Sequence, residues 1–138
     1  MELHLYTDGG ARGNPGIAGY GFAIFDQDKK LLHKDSQFLG VKTNNEAEYL
    51  GIIAALTWVT QNLSTYNPDS VHLFSDSQLI VRQLQGLYKV KSPNLKPFFA
   101  TAQNLISQIK VPLTFNDIRR EYNKLADSLA NEAMDRQK

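Results

Sequence analysis

The 138-residue sequence contains no cysteine, which excludes disulfides, thiolate nucleophiles and cysteine-ligated zinc. Net charge is also nearly absent. Fifteen Lys and Arg against fourteen Asp and Glu leave +1, so total charge cannot coat a polyanion and any such partner must be held by a local patch. No apolar run approaches the roughly 20 residues that a bilayer-spanning helix needs. The opening MELHLYTDGG reads as a strand rather than as a charged segment leading into an apolar signal core. A soluble cytoplasmic protein with no membrane partner is therefore expected. Repeats, low-complexity tracts and linkers are lacking too, so residues 1–138 read as one domain, and 42% apolar content suffices for a core. Size, and the lack of an apolar helix face that would remain exposed, make a monomer the expectation. One long stretch lacks acid: Ser77 to Asn116 holds no Asp or Glu but includes Arg82, Lys89, Lys91, Lys96 and Lys110. It reads equally as a polyanion patch or as a solvated face with a charge bias.

What is present is a regular alternation of element signals. Leu3, Leu5 and Thr7 alternate with His4, Tyr6 and Asp8, a strand with a carboxylate at its end. GGARGNPG reads as a glycine-rich loop, followed by strands in GYGFAIFD and LLHKDSQFLG around a DQDKK turn. A helix is expected from about Thr43 to Asn62, a fourth strand in VHLFSD, and a short helix in SQLIVRQLQG ended by Gly86. A further helix starts near Asn94 with Pro97 in its first turn, VPLTFNDI is a fifth strand, and NKLADSLANEAMD a closing helix. The order βββ-α-β-α-α-β-α predicts an α/β fold, a five-stranded mixed sheet flanked by helices.

The acids fall at the ends of these elements. Asp8 and Asp76 close the first and fourth strands, and if those strands are neighbours both carboxylates face one crevice. Asp is also a good turn and cap residue, which explains either one taken alone. Asp127 lies in the first turn of the last helix, where the helix dipole by itself accounts for a negative charge. Glu46 and Glu48, two positions apart in TNNEAEYLG, are separated by helix geometry. Thr43 and Glu46 match a capping box. At about 100° per residue, Glu48 then points about 200° away from Glu46. That direction is a row shared with Ile52, Ala55 and Val59, too apolar for a freely solvated carboxylate. Glu46 is the cap and Glu48 the candidate ligand.

Four stretches, TDGGARGNPG (7–16), TNNEAEYLG (43–51), FSDSQLIV (74–81) and YNKLADSLA (122–130), together resemble the type 1 ribonuclease H family over nearly the whole chain. The resemblance implies the ribonuclease H-like fold and cleavage of the RNA strand of RNA–DNA hybrids to 5′-phosphate and 3′-hydroxyl ends. It further implies four carboxylates, here Asp8, Glu48, Asp76 and Asp127, holding two Mg²⁺ ions, with Mn²⁺ as a substitute. Hard oxygen ligands suit those ions. Gly9, Gly10, Asn14, Asn45 and Gln78 match positions that touch the RNA strand, and Thr43 and Asn44 match contacts to phosphate or to the DNA strand. Lys89 and Lys91 are placed to grip duplex phosphates. Double-stranded RNA is a second substrate that the fold by itself leaves open.

The sequence departs from the family pattern in two places. Many members carry a histidine in a loop before the last helix; here no histidine follows His72, and Arg119 or Arg120 is the candidate electrostatic replacement. His4, His33 and His72 all fall in expected strands, where packing or surface exposure is the expectation. The region between Gly86 and Asn94 is too short for the long basic protrusion of some relatives. Both departures place the sequence nearest the short, archaeal-like members. They predict slower turnover and a modest, strongly salt-dependent hybrid affinity.

Overall fold

The structure, a computed structural model, describes residues 1–137. Strands β1 (Glu2–Gly13), β2 (Gly16–Asp26) and β3 (Leu31–Lys42) form an antiparallel meander. Strands β4 (Ser70–Ser75) and β5 (Leu113–Asp117) extend it in parallel, giving the order β3-β2-β1-β4-β5. Helix α1 (Asn44–Tyr66) joins β3 to β4; α2 (Gln78–Leu84) and α3 (Lys96–Gln108) join β4 to β5. A single 3-10 turn (Arg120–Tyr122) leads into α4 (Lys124–Arg136). This is the expected mixed sheet and element order.

The core lies between the sheet and α1. Leu3 and Leu5 of β1, Ile24 of β2 and Leu73 of β4 meet Ile52, Leu56 and Val59 of α1, all fully buried. Each such side chain stabilises the fold by about 1.5–3 kcal/mol relative to exposure. The alternation read in the sequence puts these residues on one face of β1 and leaves His4 and Tyr6 on the other. Helix α4 covers that second face over β2, β1 and β3. Among the described residues no helix is long and apolar enough to cross a membrane.

The glycine-rich loop expected at GGARGNPG is instead strand. β1 runs on through Gly13, pairing Gly9 with Tyr20 and Gly13 with Gly16, so only Asn14 and Pro15 remain as the turn, entered through Gly13 at φ 98°. The glycines are there for close backbone approach rather than for looping. A Cβ on Gly9 would stand 2.3 Å from the carbonyl oxygen of Ala47 in α1; one on Gly21 would stand 2.5 Å from Leu129 Cβ in α4. Helix α1 also runs past Asn62 to Tyr66, ending where Asn67 turns left-handed (φ 46°) before Pro68. Nothing within QNLSTY stops it. Helix α3 begins at Lys96, two residues later than expected, with Pro97 in its first turn.

Candidate active site

β1 and β4 are parallel neighbours in register up to Thr7 and Ser75, so Asp8 and Asp76 follow side by side just beyond the last pair. Asp76 closes β4 as expected, but Asp8 does not close β1: it lies in mid-strand, because β1 continues to Gly13 paired with β2 alone. β1 has an antiparallel neighbour on one side and a parallel one on the other, and the crevice forms beyond that junction. Helix α1 brings the third acid. Thr43 caps it: the Thr43 hydroxyl accepts from the Glu46 amide at 3.2 Å, and Glu46 Oε1 accepts from the Thr43 amide at 2.9 Å. Glu46 is thereby spent on the capping box, as its spacing predicted. Glu48 falls on the row of Ile52, Ala55 and Val59 and is only 5% exposed.

Each oxygen of Glu48 is fixed. Oε1 accepts from the Gly9 amide at 3.0 Å and Oε2 from the Ser75 hydroxyl at 3.2 Å. The same Gly9 amide lies 3.0 Å from Asp8 Oδ1, so one backbone donor serves both acids. The absence of a side chain on Gly9 is what lets β1 come near enough to α1 for this. Asp8, Glu48 and Asp76 offer oxygens that all lie within 4.8 Å of one another. Asp76 Oδ2 is buried with no hydrogen-bond partner, and Arg120 Nε lies 3.6 Å away on a largely exposed side chain.

α4 supplies Asp127. Gly21, the cross-strand partner of Asp8, has no side chain, and the α4 backbone from Ala126 to Ala130 rests on it. Buried Asn123 fastens the start of the helix by donating from Nδ2 to the Thr7 carbonyl at 2.8 Å. Asp127 then lines a cavity of about 220 Å³ with Asp8, Gly10, Arg12, Asn44 and Arg120. Asn131, one turn on, donates to its carbonyl at 3.0 Å and to Oδ1 at 3.3 Å. Asp127 is not one of the three acids within 4.8 Å of one another, but it lines the same cavity as Asp8 and is near enough to push the Asp8 and Asp76 carboxyls upward.

Crowding and burial set the electrostatics. Burial pushes the Asp8 carboxyl well above the usual range, and the charge of Glu48 and then Asp76 adds to it. Burial also raises Glu48, against hydrogen bonds with Asp8 and from the Gly9 amide that favour its charged form. Asp76 is raised by burial, while Arg120 pulls it back. Two unit charges at about 4 Å repel by about 4 kcal/mol at an effective dielectric near 20, so such a cluster holds either protons or cations. An orphaned, buried carboxylate oxygen in an all-oxygen donor set fits a hard divalent cation.

Other residues expected at the substrate surface divide into two groups. Gly10 and Asn44 line the cavity, with Asn44 Oδ1 accepting from the Ala11 amide (2.8 Å); Asn14 and Thr43 lie beside this lip, Asn14 Oδ1 accepting from the Asn44 amide (3.0 Å) and Thr43 capping α1. Half-buried Asn45 follows in the first turn of α1, and exposed Gln78 begins α2 just beyond Asp76. Lys89 and Lys91 are exposed on the connection from α2 to α3, outside the cavity. Of the two arginines considered, Arg120 faces Asp76, whereas Arg119 pairs with Glu121 at 3.6 Å. No histidine lines the cavity; His33 stacks on Trp58 with ring centroids 5.4 Å apart.

Ser75, Arg12, Asn123 and Asn131 were not singled out from the sequence. Ser75 shares the inward parity of Val71 and Leu73, and Asn131 lies four residues beyond Asp127 on the same helix face. Those were the available signals. Arg12 had none, because its partners Asp135 (2.7 Å) and Asn131 are more than a hundred residues distant.

Comparison with known proteins agrees with this geometry. The family model described as "Reverse transcriptase-like" matches residues 6–133. A bifunctional protein of Mycobacterium tuberculosis is 40% identical over 136 residues, covering 98% of this chain and 36% of the relative. Ribonuclease HI of Halobacterium salinarum is 35% identical over 134 residues, covering 97% of this chain and 65% of the relative. The chain thus spans about a third of the mycobacterial relative and about two thirds of the halobacterial one. Among solved structures, LC11-RNase H1 in complex with an RNA/DNA hybrid superposes with a TM-score of 0.92 at 45% identity, covering 97% of each chain. RNase H1 of Halobacterium salinarum superposes with a TM-score of 0.87 at 34% identity and 99% coverage of both. With the family model matched almost end to end and two homologous folds covered nearly completely, the chain belongs to the type 1 ribonuclease H family.

Proposed function

We propose that this chain is a divalent-cation-dependent endonuclease that hydrolyses the RNA strand of RNA–DNA hybrids, leaving 5′-phosphate and 3′-hydroxyl ends. The observation that carries the reading is the cluster of Asp8, Glu48 and Asp76 within 4.8 Å, with the buried Asp76 Oδ2 unpartnered. A pure binding module gains nothing from concentrated negative charge where phosphates must approach. The hybrid complex of LC11-RNase H1, 45% identical to this chain, supports the substrate class.

In this reading Asp8, Glu48, Asp76 and Asp127 hold two Mg²⁺ ions, with Mn²⁺ as substitute. When bound, such ions stabilise the attacking and leaving oxygens of an in-line displacement at phosphorus. The chain's own groups do the positioning. Gly9 and Ser75 clamp both oxygens of Glu48, so the carboxylate keeps one orientation without reorganising during reaction. Arg120 stands at the mouth beside Asp76, where its guanidinium is free to meet a phosphate oxygen. The lip of Gly10 and Asn44, with Asn14 and Thr43 beside it, presents backbone and amide groups to the RNA strand, whose 2′-hydroxyls distinguish it from DNA. Lys89 and Lys91 reach duplex phosphates farther along.

The test incubates the purified chain with labelled RNA–DNA hybrid, double-stranded RNA and DNA duplex, each in Mg²⁺, Mn²⁺ or EDTA. Cleavage of the hybrid's RNA strand in either metal, abolished by EDTA, is expected, with the DNA duplex intact. The double-stranded RNA arm decides whether that substrate belongs to the same site. An intact hybrid in both metals, with the chain folded, overturns the proposal.

A further inference from the structure

A second group of metal-ligating side chains lies at the opposite end of β1 and β4, on the same sheet face as α4 but beyond the start of that helix. Glu2 and His4 point the same way, two residues apart on β1, and His72 is the register partner of His4 on β4. Glu2 Oε1 lies 3.0 Å from His4 Nε2 and 3.7 Å from His72 Nε2, and one ligand atom from each residue falls within 4.8 Å of the others. We propose that Glu2, His4 and His72 bind a borderline divalent cation, Zn²⁺ in the first instance, at a site separate from the carboxylate cluster.

The geometry suits that ion. Zn–N and Zn–O bonds of about 2.0–2.1 Å in a tetrahedral site set the ligand atoms about 3.3 Å apart. The observed 3.0 and 3.7 Å bracket that figure, so small rotations of half-exposed side chains complete the site. Two imidazoles and one carboxylate leave a fourth position for water, and this softer donor set favours zinc over magnesium. Four residues of strand separate His4 from Asp8, about 13 Å, so the two sites hold different ions.

The surroundings orient the ligands. His72 Nδ1 lies 2.7 Å from Thr114 Oγ1 on β5, and Asn116 Nδ2 donates to the same oxygen at 3.0 Å. With the imidazole proton directed at Thr114, His72 Nε2 turns its lone pair toward Glu2 and His4, the arrangement that metal-binding histidines use. Ser70 Oγ, 3.1 Å from His72 Nε2, caps that lone pair without metal and is free to rotate toward the water position with it. Access is open: His4 also lines a cavity of about 320 Å³ between this sheet face and the start of α4. Bound there, a metal ties the start of β1 to β4, the two strands that position Asp8 and Asp76.

The test strips the chain with a chelator, desalts it, and titrates Zn²⁺ against a chromophoric competitor with excess Mg²⁺ present to occupy the carboxylate cluster. One equivalent of Zn²⁺ per chain is expected. At a hundredfold excess over Kd, Tm rises by on the order of 10 °C. His4→Gln and His72→Gln each weaken binding by at least roughly tenfold, and Thr114→Val weakens it through the lost orienting contact. Asp8→Asn leaves it unchanged. Co²⁺ in place of Zn²⁺ gives the intense visible bands of four-coordinate cobalt, which the histidine variants lose. Equal Tm values for wild type and variants without metal establish that the variants fold. Absence of binding overturns the proposal, as does stoichiometric binding that survives His72→Gln or disappears with Asp8→Asn.

Discussion

Replacing Glu48 by Gln separates a catalytic carboxylate from a structural one, because the two roles predict opposite changes in stability. Gln keeps the shape of Glu. Its Oε1 still accepts from the Gly9 amide, and its Nε2 faces Ser75 Oγ, which turns from donor to acceptor. What disappears is one of three charges within 4.8 Å. At that separation and an effective dielectric near 20, each lost repulsion is about 3–4 kcal/mol for fully ionised partners. Partial protonation of the cluster reduces this, so Glu48→Gln is expected to stabilise the metal-free chain by roughly 1–3 kcal/mol at pH 8 while abolishing hybrid cleavage. The sign of the pH dependence follows from the direction of the shift. Burial raises Glu48 above its ordinary 4.5, so its charge destabilises the fold once pH exceeds 4.5, and fully so only above the raised value. The gain from Gln therefore vanishes below pH 4.5 and grows as pH rises. Urea denaturation in EDTA across that range, repeated with Mg²⁺, reads it directly. Magnesium stabilises the wild type and does so less for Glu48→Gln. A loss of about 3–5 kcal/mol in EDTA, the cost of breaking a buried ion pair, would refute the argument and make Glu48 a structural residue.

The companion change Glu46→Gln preserves a capping-box side chain; chemical denaturation should register a loss within about 1 kcal/mol, and cleavage should persist. Gly9→Ala forces its Cβ against the Ala47 carbonyl, displacing the turn that carries Glu48. It should cost roughly 1–3 kcal/mol and reduce kcat, whereas Gly10→Ala, whose nearest neighbour is Asn44 Oδ1 at 3.7 Å, keeps its Tm and shows its effect in KM. Lys89→Ala with Lys91→Ala should flatten the plot of log affinity against log salt by about two units, measured with hybrid and catalytically inert chain. Arg120→Ala should lower kcat more than Arg119→Ala, since only Arg120 faces Asp76; equal effects would count against a role at the mouth.

Local signals carried much of the site. Glu48 was legible because a helix has a period: its place on the row of Ile52, Ala55 and Val59 needed no partner to be read. Glu46 was legible because a capping box closes within one turn. Asp76 was visible as a strand-end acid, whereas Asp8, read the same way, lies within β1; whether the two meet depends on β1 and β4 pairing across some seventy residues, which only the family resemblance anticipated. The glycine-rich stretch was misread as a loop for the same kind of reason. Gly9 and Gly21 are conformationally permissive in isolation, but in the fold they are contact points for α1 and α4, and the strand continues through them.

The sequence by itself therefore determined the element order, the cap of α1, the inward direction of Glu48 and the absence of a loop histidine, all properties of period, spacing and composition. Tertiary structure alone decided which donors hold the acids. The Gly9 amide is shared between Asp8 and Glu48, Ser75 reaches the second oxygen of Glu48, and Asn123 pins α4 so that Asp127 faces the cavity. It also gathered Glu2, His4 and His72, which as isolated strand residues carried no signal of chemistry. The physical reason is common to all of these: hydrogen bonding and metal ligation act over about 3 Å in space, and distances of that size between remote segments exist only once the sheet and helices have packed.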